Sequence, residues 1–316
     1  MASVRTAVGQ AHAKVIIVGE HAAVFGYPVL AAPLPALTVR TEAWPAEGPI
    51  TLDCPLYAGP LAEAPGVFDG IKALVEAALA KLSRPDRDLE LKVQSDVPIG
   101  RGLGSSAALA ASLVQAIYRS CGAPLDRETL LRLVGVAESF AHGAASGVDA
   151  AAVVAEGMVS FRRGLAAVPL RPARPLHFVI ADSGLPSETR GAVEGVRRRL
   201  VRDAEDTRTR LETLGRLAEG AQAAATQGDT GRLGQSMNDA QCELEALGVS
   251  LPALDRLVLA ARNAGALGAK LTGGGRGGCV LALARDPGAA EHLARAMRAQ
   301  GARATWLASF GGEEAA

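Results

Sequence analysis

The chain reads as a two-domain α+β protein, and three observations carry that reading. At 316 residues, with a hydrophobic share of 49%, it is long enough to bury two ordinary cores. Short apolar strands alternate with longer helical patterns around glycine-rich turns, as mixed layers of sheet and helix do. Pro169, Pro172 and Pro175 interrupt every pattern together. The best boundary therefore lies there, dividing residues 1–172 from residues 173–316.

The elements follow in order. Residues 15–18 (VIIV) form a buried strand that Gly19 closes. Alternation predicts further strands at 36–43 and 89–95, and the Pro- and Gly-rich stretch 45–65 between them is a loop around a short strand. Helical spacing covers 68–82 and 105–120. Asp126, a good N-cap, opens a helix that runs to about His142. A hairpin over 157–170 turns near Arg163-Gly164. Beyond the prolines come a strand at 177–181, long helices at 188–220 and 228–247, and a helix at 252–264. A glycine loop, a strand at 279–284, a helix at 289–300 and a strand at 303–308 complete the chain.

Composition excludes several roles. The 33 basic residues balance 33 acidic ones, so no global field recruits nucleic acid or an anionic membrane. Aromatic residues are 3% of the chain, too few for a base-stacking platform. Arg197-Arg198-Arg199 lies among acids and reads as a solvated helix face. Cys54, Cys121, Cys242 and Cys279 match no metal or redox spacing, which points to a reduced, intracellular protein. The first apolar run is too short for a signal peptide, and no stretch approaches the ~18 residues of a membrane span. A soluble cytoplasmic protein is expected.

Four remote segments carry polar residues that an apolar fold does not require. PIGRGLGSSAA (98–108) places Gly100, Gly102 and Gly104 at alternating positions before two serines and a helix. Glycines admit positive φ and close backbone approach, while a helix start presents free N–H groups, and together they make a nest for phosphate. No lysine follows as in a P-loop, and the spacing is not that of a dinucleotide fingerprint. AHAKVIIVGEHAAVFGYP (11–28) puts Lys14 at a strand mouth and Glu20-His21 after the strand; a snorkelling lysine and a surface turn remain open here. ESFAHGAASGVDAA (138–151) carries Glu138 and, beyond the small-residue turn Ala144-Ala145-Ser146-Gly147, Asp149. An acid beside Val148 and three alanines is expected to be buried and to need a partner. GAKLTGGGRGGCVLAL (268–283) has five glycines in six positions, broken by Arg276, so a ligand or a close backbone crossing is expected.

Taken together, these segments, with NDAQCELEALGVSLPALDRL (238–257), resemble the motifs of the GHMP kinases over nearly the whole chain. The resemblance implies an N-terminal α/β domain with a left-handed βαβ crossover and a ferredoxin-like C-terminal domain. It implies Mg²⁺ as cofactor, ATP as co-substrate and a small alcohol as acceptor, with mevalonate expected from the GEHAAVFGYP and LGVSLPALD wording; the alternatives are phosphomevalonate, homoserine or a sugar as acceptor, or a relative that has lost catalysis. No nucleic acid or membrane partner is implied, and a homodimer is compatible with the family. Carried over residue by residue, the ATP phosphates fall on Gly100, Arg101, Gly102, Leu103, Gly104, Ser105 and Ser106, and Ser95 matches a nucleotide-contacting position. Ser106 and Glu138 match the metal ligands. Asp149 matches the catalytic base, with Lys14 beside it. Glu20, His21 and Ser146 match positions near the substrate, and Thr189 matches the phosphate region. Departures are Ala145 where the family often has Pro, His12-Ala13 in place of Pro-Gly, and Arg276 within the last glycine loop.

Overall fold

The computed structural model describes residues 6–84, 88–142 and 146–311. Within them the chain forms two compact units. One holds the residues through Ala13, Leu37–Pro98 and Gly104–Val154; the other holds Lys14–Ala36, Ile99–Leu103 and the chain from Ala155 onward.

β2 (Val29–Pro45), of which the part from Leu37 onward belongs to the first unit, pairs with β1 (Ala7–Val18) and, antiparallel from Val39, with β5 (Leu89–Ser95). β3 (Thr51–Cys54) runs parallel to β5 and forms a hairpin with β4 (Tyr57–Pro60), so the region expected to be loop around one strand holds two. The helices are α1 (Asp69–Lys81), α2 (Ser105–Ser120), α3 (Arg127–His142) and α4 (Val148–Val153). Small residues let the helices lie close against backbone. A Cβ on Gly9 of β1 would overlap the Ser112 carbonyl oxygen, and one on Gly70 of α1 would sit 2.8 Å from the Ala137 carbonyl oxygen of α3. Ser112 and Thr41 satisfy each other inside the core at 2.8 Å. Asp126 caps α3 as expected, its Oδ1 accepting from the Thr129 N–H at 2.7 Å.

The second unit contains the hairpin β6 (Val159–Phe161) and β7 (Val168–Pro169), with β6 antiparallel to the start of β2. It continues through β8 (Leu176–Asp182), α5 (Thr189–Arg202), α6 (Ala204–Gln227), α7 (Thr230–Ala246) and α8 (Pro252–Asn263). It ends with β9 (Gly268–Thr272), β10 (Cys279–Ala284), α9 (Pro287–Ala299) and β11 (Ala304–Phe310). The antiparallel sheet order β11-β8-β10-β9 is the ferredoxin-like βαββαβ arrangement, with extra helices between its first two strands. The single helix expected over 188–220 is two, because Asp203 leaves helical geometry at φ −142° and starts α6.

β9 has all five residues buried and was expected only as loop. α7 covers its free edge: Asn238 Oδ1 accepts from the Ala269 N–H at 3.1 Å and Gln241 Oε1 accepts from the Leu271 N–H at 2.8 Å. Side chains of the NDAQ stretch thus complete an edge that would otherwise lie open. A Cβ on Gly268 would sit 2.6 Å from the Gly234 Cα, so both glycines are needed for α7 to reach the strand. No helix among the described residues is long and apolar enough to cross a membrane.

Candidate active site

The first glycine loop has the predicted backbone. Gly100, Gly102 and Gly104 all have positive φ, at 69°, 73° and 73°. Gly104 stands at the N-cap of α2 and no side chain caps that end, leaving the first-turn N–H groups available to an anion. Ser105 and Ser106 occupy that first turn. In the same unit Glu138 is buried on α3, which packs on α2. Asp149 lies in the first turn of α4, after Gly147 in left-handed conformation. It is half-buried, short of the burial its apolar neighbours suggest, because α4 turns Val148, Ala150 and Ala151 inward. Ser146 Oγ accepts from the Val148 N–H at 3.4 Å, so its place is at the start of α4. Ser95, exposed at the end of β5, accepts from the Val97 N–H at 3.2 Å. Ala144 and Ala145 lie outside the described residues.

The second unit gathers buried charge. Lys14 is only 3% exposed, so it does not snorkel, and its backbone N–H donates to the Leu103 carbonyl at 2.9 Å. Thr272 ties β9 to β1, its hydroxyl accepting from the Ile16 N–H at 3.0 Å and donating to the Ile16 carbonyl at 2.9 Å. Glu20 and His21 are buried, not a surface turn. Lys270, from the middle of β9 and fully buried, donates to Glu20 Oε1. Burial pushes the Glu20 carboxyl above its ordinary range, opposed by Lys270 and Lys14, and pushes the Lys270 ammonium down, opposed by Glu20. His21 adopts φ 59° and bonds through Nε2 to the Gly274 carbonyl at 3.0 Å, which makes Nε2 the protonated nitrogen. Burial lowers its pKa to about 4. Glu20 Oε2 and His21 Nδ1 are buried without hydrogen-bond partners among the described residues, so each is an acceptor left to be satisfied by water or another group.

The second glycine loop is a close backbone crossing. A Cβ on Gly273 would sit 2.9 Å from the Gly102 carbonyl oxygen, and one on Gly274 2.6 Å from Thr189 Oγ1. Thr189 begins α5 and faces Ser187 Oγ at 3.3 Å. Arg276, at φ 52°, donates its N–H to the Val249 carbonyl at 2.7 Å. Sequence reasoning passed over Lys270 and Thr272, since polar residues running into a glycine-rich stretch signal loop rather than buried strand, and over Asp182, which stands just past the expected strand 177–181.

A ferredoxin-like unit, a mixed sheet-and-helix unit and a positive-φ glycine loop before the uncapped start of α2 are the parts of a kinase class. The model of the GHMP kinases N terminal domain matches residues 70–157, and that of the GHMP kinases C terminal matches 221–303. The chain belongs to the GHMP kinase family. Among its relatives, the mevalonate kinase of Pyrococcus horikoshii is 32% identical over 94% of both chains. That of Aeropyrum pernix is 35% identical over 89% of this chain and 90% of its own. Of solved structures, mevalonate kinase from Staphylococcus aureus shares 30% identity with a TM-score of 0.71, covering 98% of this chain and 100% of that one. The L. major mevalonate kinase with R-mevalonate has the same fold at a TM-score of 0.83 and 24% identity, over 99% of this chain and 98% of that one.

Proposed function

We propose that this chain is an ATP-dependent small-molecule kinase that transfers the γ-phosphoryl group of ATP to the C5 hydroxyl of mevalonate, giving 5-phosphomevalonate and ADP. The observation that carries the acceptor is identity of about 30–35% to mevalonate kinases along most of the chain. Fold alone does not separate acceptors, since a phosphomevalonate kinase shares it equally well.

Phosphoryl transfer passes through a loose transition state, so positioning and charge neutralisation are what the residues must supply. The N–H groups of Gly100–Ser106 and the start of α2 bind phosphate oxygens. Asp149 accepts the proton of the attacking hydroxyl and aims its oxygen, while Lys14 supplies positive charge at the reacting end. Glu20 and His21 take up donor groups of the acceptor through their open atoms, with Ser146 and Thr189 nearby in role and Ser95 on the nucleotide. Ser106 and Glu138 fit Mg²⁺: a hydroxyl and a buried carboxylate are hard oxygen donors, and so small a set suits an ion that keeps phosphate oxygens and water. When bound, Mg²⁺ neutralises phosphate charge. ADP release with Mg-ATP, measured against mevalonate, phosphomevalonate, homoserine and galactose, tests the reading. Turnover on mevalonate is expected to dominate, and its absence refutes the acceptor.

A further inference from the structure

Arg101 sits at the tip of the first glycine loop, yet its side chain is turned into protein. Its Nε lies 3.1 Å from one carboxylate oxygen of Asp182 and 3.2 Å from the other, and the two side chains are 11% and 4% exposed. Asp182 ends β8, an inner strand of the sheet, opposite Cys279 of β10 and Ala304 of β11. Its Oδ1 also accepts from the Gly184 N–H at 2.8 Å, and its carbonyl accepts from the Arg303 N–H at 2.8 Å. The carboxylate is thus held by the Gly184 N–H as well as by Arg101, and its backbone by both neighbouring strands.

Within the second unit, the segment Ile99–Leu103 is held at further points. The Gly100 carbonyl accepts from the Ser187 N–H at 2.7 Å, and the Leu103 carbonyl from Lys14. A Cβ on Gly278 would stand 2.7 Å from the Arg101 carbonyl oxygen. Glycines at positive φ lose the most freedom when they are ordered, so a loop ordered only on binding would lose affinity. A buried, charge-assisted pair orders it in advance.

We propose that Asp182 and Arg101 are a positioning pair: the buried carboxylate clamps the guanidinium and thereby fixes the backbone of Gly100–Leu103 in its phosphate-binding shape. Arg101 acts through this clamp and not as a side-chain ligand of phosphate. The inference rests on the kinase reading above and names the device behind its nucleotide site.

The test uses the full chain, with Mg²⁺ and a fluorescent N-methylanthraniloyl-ATP as the binding probe, beside steady-state kinetics. Asp182→Asn and Arg101→Met are each expected to weaken nucleotide binding about tenfold or more, while KM for mevalonate stays within about twofold. Arg101→Lys, which keeps a cation for Asp182, restores most of the loss. The double variant Asp182→Asn/Arg101→Met is no weaker than the worse single one, because both act through one contact. Losses that multiply in the double variant, or an Asp182→Asn protein that binds as tightly as the wild type, overturn the clamp. Should a single variant fail to fold because a buried charge is unpaired, the charge-neutral double variant carries the measurement, and wild-type affinity in it is the overturning result. A wild type that binds the probe but does not phosphorylate mevalonate refutes the acceptor and leaves the clamp standing, since the binding arm does not depend on the acceptor.

Discussion

Replacing His21 by Asn should flatten the acid limb of the stability curve. The imidazole is 6% exposed, donates from Nε2 to Gly274, and its pKa falls from 6.5 to about 4. Burial is the main cause; the charges of Lys270 and Arg276 push the same way, and only the Gly274 bond opposes. Between those two values the unfolded chain carries a proton that the folded chain lacks, so stability rises with pH through the window. The contribution is complete above the unfolded value and is lost as pH falls toward the folded one. Linkage over that window amounts to about 3 kcal/mol, of which about 2.5 kcal/mol separates about pH 7.5 from about pH 4.5. Asn is the replacement of choice because it tolerates the positive φ of 59°. Urea unfolding of both proteins at the two pH values isolates the effect, since every other titrating group is common to them. The wild type should lose about 2.5 kcal/mol more than the variant. Equal losses would show that His21 is not a buried neutral imidazole.

Three further outcomes are expected. Asp149→Asn should lower kcat by at least ~10²-fold while nucleotide affinity holds, as loss of a general base requires; near-normal turnover removes Asp149 from that role. Ser106→Ala should raise the Mg²⁺ concentration for half-maximal rate more than KM for mevalonate, and an unchanged metal titration counts against it as a ligand. Lys270→Met should cost about 3–5 kcal/mol in urea unfolding by leaving the Glu20 carboxylate buried and unpaired, with much of it regained in Glu20→Gln/Lys270→Met; a cost below about 1 kcal/mol would place the pair in solvent.

What the sequence discloses follows from which residues leave a periodic trace. β5 and β10 alternate or run apolar without a break, and their observed bounds equal the expected ones. β1 begins at Ala7, eight residues before the apolar run, because apart from Val8 its first half is built of Ala, Gly, Gln and His, which carry little strand signal. β2 hides its start in the same way: Pro33 and Pro35 lie inside it, where proline argues against a strand. The glycine rhythm of residues 100–104 announced its positive φ values, since few other residues take them. It did not announce Asp182, eighty residues onward, whose side chain meets Arg101 only through the fold.

The buried charges mark the limit more sharply. Lys14, Glu20, Asp182 and Lys270 are each at most 3% exposed, whereas charged residues on average lie at the surface. From sequence alone, snorkelling is the fair reading of Lys14, and nothing in GAKLT separates an inward lysine from a loop one. Only the register of β9 against β10, with Lys270 opposite Leu281 inside a wholly buried strand, places that ammonium in the interior. Apolar residues of similar volume would be as stable there or more so. Stability therefore does not account for four such residues in one unit, and buried, partnered charge of this kind gathers where chemistry is done. That reasoning separates two classes of variant at position 270. A methionine should lose both folding stability and turnover, while Glu20→Gln/Lys270→Met should recover stability without recovering turnover. Recovery of both would make the pair a packing device and nothing more.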